Sequence, residues 1–205
     1  MEPTINLIKH AGVQILWENL VIYIDPWEMP ESVKDKADLV LVTHPHYDHL
    51  SPEDIERIKG EDTVVIGPAG TAEEVAGAKE VAPGDKIEVK GIQVEAVPAY
   101  NNNKSFHEKK NNWVGYILRL GETRVYHAGD TDFIPEMADL EVDIALLPVG
   151  GTYTMNVEQA VQAAEAINPK VAIPMHYGDL VGNEEDGKEF ARRFDRAKLL
   201  PKVTS

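Results

Sequence analysis

The chain has 205 residues, 43% of them hydrophobic, enough to build one sizeable core, so residues 1–205 read as a single domain. Its 35 acidic against 20 basic residues give a net charge of −15, which repels a phosphate backbone, and with no Lys/Arg-dense stripe this argues against nucleic acid as a partner. Without cysteine there is neither a disulfide nor a thiolate metal site, and with no charged-then-apolar leader or run of ~18 apolar residues the expectation is a cytoplasmic protein that does not enter a membrane.

Apolar segments at 6–10, 13–17 and 20–25 read as successive strands of an antiparallel opening. The first ends in His10, beside Ala11-Gly12, and an isolated histidine there carries only a secondary expectation of lining a pocket. The third ends in Asp25, ahead of a proline that cannot continue a ladder, so its carboxylate stands at a strand end. A buried strand over 37–42 then runs into Thr43-His44-Pro45-His46-Tyr47-Asp48-His49-Leu50. Imidazole nitrogens and a carboxylate oxygen suit zinc and its neighbours, whereas calcium or magnesium would call for oxygen alone. In near-extended backbone residues two apart point the same way, so His44 and His46 can grip one ion while Asp48 and His49, past the bend, face another. Ser51-Pro52-Glu53-Asp54 carries a cap, a proline at the first helical position and a following acid, and starts a helix through Ile55 and Ile58 to Gly60.

The next elements read as scaffold: a strand over 62–67, a short helix over 71–75 capped by Thr71, and a hairpin of 85–90 with 91–97 that delivers Pro98-Ala99-Tyr100. Residues 101–112 form a polar loop without a usable period, carrying His107, Lys104, Lys109 and Lys110, and loops of about this length are commonly functional. A second hairpin, 113–120 with 123–127, ends at Ala128-Gly129-Asp130-Thr131-Asp132, where a glycine lets the backbone turn beside an acid. A buried strand over 142–151 opens into a glycine turn, and Asn156 caps a helix whose Val157, Ala160, Val161, Ala164 and Ile167 share one face. The strand 171–176 ends in His176, and 184–199 reads as a polar helix with Phe190, Phe194 and Leu199 facing inward. Both halves share a hairpin, strand, helix order, which predicts two similar halves packed face to face. Donor candidates at four separated strand ends make sense only if those ends converge.

The run His44-Pro45-His46-Tyr47-Asp48-His49 resembles the His-x-His-x-Asp-His signature of the metallo-β-lactamase superfamily, and the order of motifs from Asp25 to His176 follows it. Tyr126-His127-Ala128-Gly129-Asp130-Thr131, Leu147-Pro148-Val149-Gly150-Gly151, Thr154-Met155 and Ile173-Pro174-Met175-His176-Tyr177 are similar to its branch of predicted metal-dependent hydrolases. That branch is related to the ascorbate-6-phosphate lactonases and, more distantly, to the phospholipase that hydrolyses N-acylphosphatidylethanolamine. The resemblance implies an α/β fold, a four-layer αβ/βα sandwich of two mixed sheets flanked by helices, with a cleft for two divalent transition-metal ions. Zinc is expected first, with manganese, iron or nickel also accepted.

The resemblance further implies that His44, His46 and His107 hold the first ion, that Asp48, His49 and His176 hold the second, and that Asp130 bridges them. Asp25 would support the metal loop, His127 and His10 would lie behind the ligands, and Asp48 would act catalytically by steering or accepting the proton of a water made into hydroxide between the ions. One departure stands out. The third-motif histidine falls in the branch at about the position of Tyr100 or Asn101, and the nearest here is His107, so either the loop brings His107 back or that ligand is missing. The loop lysines suit a small anionic ester, phosphoester or lactone, and a homo-oligomer is left open. Two alternatives stand beside hydrolysis. One is a metal-binding protein of the same fold without turnover. The other is an oxidoreductase on the same scaffold, although the flavin-linked di-iron enzymes resemble His-x-Glu-x-Asp and this chain has His46 where the Glu would stand.

Overall fold

In the computed structural model, which describes residues 2–203, the first half of the chain forms one six-stranded sheet and the second half another. The first contains β1 (Thr4–Lys9), β2 (Gly12–Trp17), β3 (Leu20–Ile24), β4 (Ala37–Leu41), β5 (Lys59–Gly67) and β6 (Lys79–Glu80), in that spatial order. Its first three strands are antiparallel, and β3 to β6 run parallel. The second contains β7 (Lys86–Val89), β8 (Ile92–Pro98), β9 (Val114–Leu120), β10 (Thr123–His127), β11 (Ile144–Pro148) and β12 (Val171–Met175), ordered β12-β11-β10-β9-β8-β7. Here β7 to β10 are antiparallel and β10 to β12 parallel. Both sheets are therefore mixed, as expected. Helices α1 (Pro52–Ile58) and α2 (Thr71–Glu74) accompany the first sheet, and α3 (Val157–Ile167) and α4 (Glu184–Arg193) the second. Among the described residues no helix is long and apolar enough to cross a membrane.

Strand periodicity distributes the apolar residues between layers. Leu39 and Leu41 of β4 join Tyr116, Leu118 and Val125 of the second sheet in the main core, while Val40 and the following Val42 pack with Ile55 and Ile58 of α1. Each such fully buried side chain contributes roughly 1.5–3 kcal/mol. A strand buried on both faces is rigid at its end, and the metal-loop residues are carried there. Ser51 caps α1 as the sequence implies, accepting from the Asp54 amide, with Pro52 at the first position. Asn156 caps α3 in a reciprocal pair with Gln159, and Ala160, Val161, Ala164 and Ile167 are buried.

Three local expectations are corrected. The cap of α2 is Gly70, in the left-handed region, and Thr71 is the first helical residue rather than the cap. The strand expected from residue 62 begins at Lys59, directly after α1, because that backbone pairs with Ala37 at the start of β4. The last helix stops at Arg193, with Phe190 and Phe194 buried but Leu199 42% exposed. Residues 196–198 instead hydrogen-bond the edge of β12, through Ala172 N to Arg196 O and Lys198 N to Ala172 O, and an exposed strand edge is satisfied where a longer helix would have left it open.

Candidate metal centre

The two sheets meet at one end through bonds that cross between them. Val114 N donates to Thr43 O, Tyr116 Oη to Val42 O, and His176 N to His10 O, at 3.1, 2.7 and 2.8 Å. Gly129, with φ +62°, permits this approach: a Cβ there would stand 3.0 Å from both Thr43 Cβ and Val114 O. Strand ends from the two halves thus converge, as the scattered donors require.

Asp25 organises the loop that follows β4. Its Oδ1 accepts from Thr43 N at 2.7 Å, and its Oδ2 accepts from Thr43 Oγ1 at 2.6 Å and from His49 Nδ1 at 2.7 Å. Having given its proton to Asp25, the Thr43 hydroxyl can only accept from His44 Nδ1, 3.0 Å away. Both imidazoles are therefore held with Nδ1 protonated and Nε2 turned to the cleft. Asp25 is fully buried in a left-handed conformation (φ 49°), and His10 and His176 share that conformation at φ 57° and 59°. Non-glycine residues in this region are uncommon and concentrate at functional sites.

Among the described residues the donors fall into groups whose ligand atoms all lie within 4.8 Å of one another: His44, His46 and His107; His10, Asp48, His49 and His176; and His44, His49 and Asp130. His44 Nε2 is 3.0 Å from His46 Nδ1. Asp130 reaches across both sides, with Oδ2 at 3.2 Å from His107 Nε2 and 3.1 Å from His176 Nε2, and Oδ1 at 3.3 Å from His49 Nε2. Yet the Nε2 atoms of His10, His49, His107 and His176, and Asp130 Oδ1, are buried without a single aligned hydrogen bond. Leaving such atoms unpartnered costs about 1–3 kcal/mol each. Lone pairs spaced at about 3.3 Å are the edges of a tetrahedron with bonds of about 2.0–2.1 Å, so the donor set fits a divalent transition ion by chemistry and by spacing.

The charge state agrees. Burial pushes the His44 imidazole well below its ordinary range, and burial likewise lowers His46 and His10. Burial would raise Asp130, but the imidazoles of His176, His49 and His107 hold it well below the usual carboxylate range. Burial also opposes ionisation of Asp48, but the nearby imidazoles of His10, with Nε2 3.3 Å from Asp48 Oδ2, and of His49 prevail and lower it. Burial works against a proton on His49, but Asp130 and Asp25 on either side raise it well above its ordinary value. A dication at Nε2 would take the place of that proton.

The 101–112 loop brings His107 beside His44 and His46, with their ligand atoms within 4.8 Å of one another. Asn101 Oδ1 accepts from His107 N and lies 3.1 Å from His107 Nδ1, and Asn101 N donates to His107 O at 2.7 Å. Asn101 is in turn held through Nδ2 by Asp132 Oδ1 and Tyr153 O. Tyr100 points elsewhere, to Glu136. Asn101 and Asp132 were missed as supports; the one available sign was the displaced histidine itself. Trp113, half-buried, forms a wall with its ring 5.0, 4.8 and 5.6 Å from those of His44, His46 and His107.

His127 lies behind the centre. Its Nε2 donates to Ala11 O and its Nδ1 accepts from Gly129 N, which fixes the backbone just ahead of Asp130. His10, expected behind the ligands, stands within one donor group, with Nε2 3.3 Å from Asp48 Oδ2 and its ring 3.7 Å from that of His176. The three loop lysines do not overhang the cleft as free cations. Lys104 binds Asp132 and Thr154 O, Lys109 binds Glu136, and Lys110 binds Glu108.

A β-lactamase superfamily domain, matched by its family model over residues 4–176, accounts for this architecture and donor order, and the chain belongs to that metallo-β-lactamase superfamily. It is 34% identical over an alignment of 214 residues to a UPF0173 metal-dependent hydrolase of Methanopyrus kandleri, covering 95% of this chain and 93% of that one. It is 36% identical to another from Pyrococcus horikoshii, covering 96% and 94%. A solved structure from Parabacteroides distasonis, named for a metal-dependent hydrolase, superposes with a TM-score of 0.88 at 35% identity over 98% of this chain and 94% of that one.

Proposed function

We infer that the protein is a metal-dependent hydrolase that uses two divalent ions on a small ester, phosphoester or lactone. The observation that carries the reading is the set of buried Nε2 atoms from His49, His107 and His176, left without hydrogen bonds around an Asp130 that touches both donor groups. His44, His46 and His107 would hold the first ion, Asp48, His49 and His176 the second, and Asp130 would span them. Such ions supply an acidified water and charge to polarise the bond attacked, and zinc suits this donor set best, with manganese, iron or nickel also accepted.

The chain's own residues do the rest. Asp25 and Asn101 fix imidazole tautomers, Trp113 walls the imidazoles of His44, His46 and His107, and His10 stands beside the Asp48 carboxylate. Asp48, ionised and at the cleft, accepts a proton from the attacking water at its free oxygen. For an ester or lactone, water oxygen bonds to the carbonyl carbon, the acyl C–O bond breaks, and the departing oxygen takes up the proton. The anionic character first expected of the substrate loses its support with the lysines paired. We further place the protein in the cytoplasm, given its lack of cysteine, with a small-molecule substrate.

Elemental analysis of purified protein together with an ester, phosphodiester and lactone panel tests the reading. We expect close to two transition ions per chain and turnover abolished by chelation. A stoichiometry held at one removes the two-ion mechanism, and full loading without turnover on the panel favours a metal-binding protein instead. His176→Ala should lower metal content without loss of the fold, since the strand ahead of it keeps its packing.

A further inference from the structure

Five large hydrophobic side chains stand exposed among the described residues, and four of them gather at one opening: Tyr47 (69% exposed), Phe106 (47%), Leu180 (46%) and Tyr153 (37%). They come from four separate loops and line a cleft of about 350 Å³ whose floor includes His46, Asp48, His107 and Asp130. Exposed apolar residues scattered singly need no explanation, but a cluster over a donor centre does. The rim is also ordered. Phe106 and Tyr153 meet edge to face, ring centroids 4.7 Å apart at 77°, and the Trp27 ring meets Tyr47 edge-on at 6.2 Å. Such pairs hold their shape before a ligand arrives, which spares the ordering that binding otherwise requires.

Charge points the same way. No lysine or arginine lines this cleft, the lysines of the 101–112 loop are spent on carboxylates, and the chain as a whole carries −15. The ions would act on the bond that breaks, so the rim decides what the remainder of the substrate can be. We propose that the non-reacting part of the substrate is neutral and apolar, a ring-sized group seated against Phe106, Tyr153, Tyr47 and Leu180, with esters or lactones of such groups preferred over phosphorylated or carboxylated ones. This deepens the hydrolase reading and rests on it for the site.

Binding separates the two. The probe is 3,4-dihydroquinolin-2-one, an unreactive lactam with a fused aromatic ring, titrated into the full, metal-loaded chain and followed by tryptophan fluorescence. 2-Piperidinone, the same six-membered lactam without the aromatic ring, and a ring-carboxylated derivative serve as comparisons. The neutral bicyclic compound should bind saturably, about tenfold tighter than either comparison, and Phe106→Ala and Tyr153→Ala should each weaken it by about 3–10-fold, with Phe106→Trp restoring it. Metal content should not change in these variants, since neither residue is among the donors. Tighter binding of the carboxylated compound, or unchanged binding in both alanine variants, overturns the proposal. So does a dimer in the wild type that both variants dissociate while ring binding persists, for the rim would then be an interface between copies. Ring binding without hydrolysis of the matching lactone, dihydrocoumarin, would sink the hydrolase reading alone. Faster turnover of a carboxylated lactone would sink the apolar rim alone.

Discussion

Two loops deliver donors to the same group, and they are built in opposite ways. The 43–50 loop leaves a strand buried on both faces, and one carboxylate, Asp25, fixes its first amide, its threonine hydroxyl and His49 together. In the 101–112 loop the donor His107 stands well past the end of β8 at Pro98, beyond the reach of that strand's pairing. The loop closes on itself through Asn101 and His107, and Asp132 anchors it from outside by accepting from Asn101 Nδ2, the Asn102 amide and Lys104 Nζ. A short, centrally tethered loop and a long, clasped one reach the same spacing of donors, so ligand precision here depends on buried hydrogen bonding more than on loop length.

The sharpest way to break that comparison is at the tether. Asp25→Ala leaves the Thr43 amide, the Thr43 hydroxyl and His49 Nδ1 without an acceptor in a fully buried place, and removing one partner of such a network costs about 3–5 kcal/mol. Denaturant unfolding should show a loss of that order, with metal content falling at both groups. Near-native stability and loading would mean that the strand end alone places the loop.

At the clasp the expected effect is smaller and differently distributed. Asn101→Ala frees His107 Nδ1 and the His107 amide but leaves the strands untouched, so ion affinity at the first group should drop about 10–100-fold while the fold persists. Asn103→Ala, an exposed neighbour in the same loop, is the control and should change neither. Equal behaviour of the two variants in a chelator-competition titration would show that the clasp does not position His107.

The same contrast explains what the sequence made legible. His44, His46, Asp48 and His49 lie within six positions after an apolar run, so spacing alone reveals a donor cluster, and the order of later motifs brings in Asp130 and His176. The two mixed sheets follow from alternating apolar runs. Asn101 and Asp132 stayed hidden because what they do depends on contacts 31 residues apart that no local period encodes. The place of His10 beside Asp48 and His176 was hidden for a similar reason: it arises from a sheet-to-sheet bond, His176 N to His10 O. The end of α4 was misplaced because a polar helical pattern continued past the point where β12 needed an edge partner.

Stripping the metal should turn the tethered group into a pH-sensitive element. His49 has its folded value raised above 6.5 by Asp130 and Asp25, so its contribution is fully present below about 6.5 and is lost as pH rises through the raised value. Asp130 is depressed below 3.8 by the imidazoles around it, so its contribution is present above that value and fades as pH falls towards the depressed one. Burial lowers His44, His46 and His10, so each of them costs stability as pH falls below about 6.5. The chelator-stripped chain should therefore be most stable near pH 6.5 and decline on both sides, and the metal-loaded chain should lose the alkaline decline, because an ion would replace the His49 proton. Thermal unfolding of both forms from pH 4.5 to 9 checks this; a stripped chain that gains stability towards pH 9 would contradict the assignment of that proton.

The smallest effect is expected at Lys104, and it tests what the clasp is for. Its ammonium meets Asp132 Oδ1 at 2.6 Å and Thr154 O at 2.7 Å from a side chain about a quarter exposed. Partial solvation screens such a pair, and Asp132 keeps the Asn101 and Asn102 donors when the lysine is gone, so Lys104→Met should lower stability by about 1 kcal/mol. Because the lysine is turned into the clasp and not into the cleft, the relative rates on neutral and carboxylated lactones should stay as in the wild type. If instead the variant keeps its stability and loses turnover on the carboxylated lactone alone, Lys104 leaves Asp132 to meet substrate, and the clasp doubles as an anion receptor.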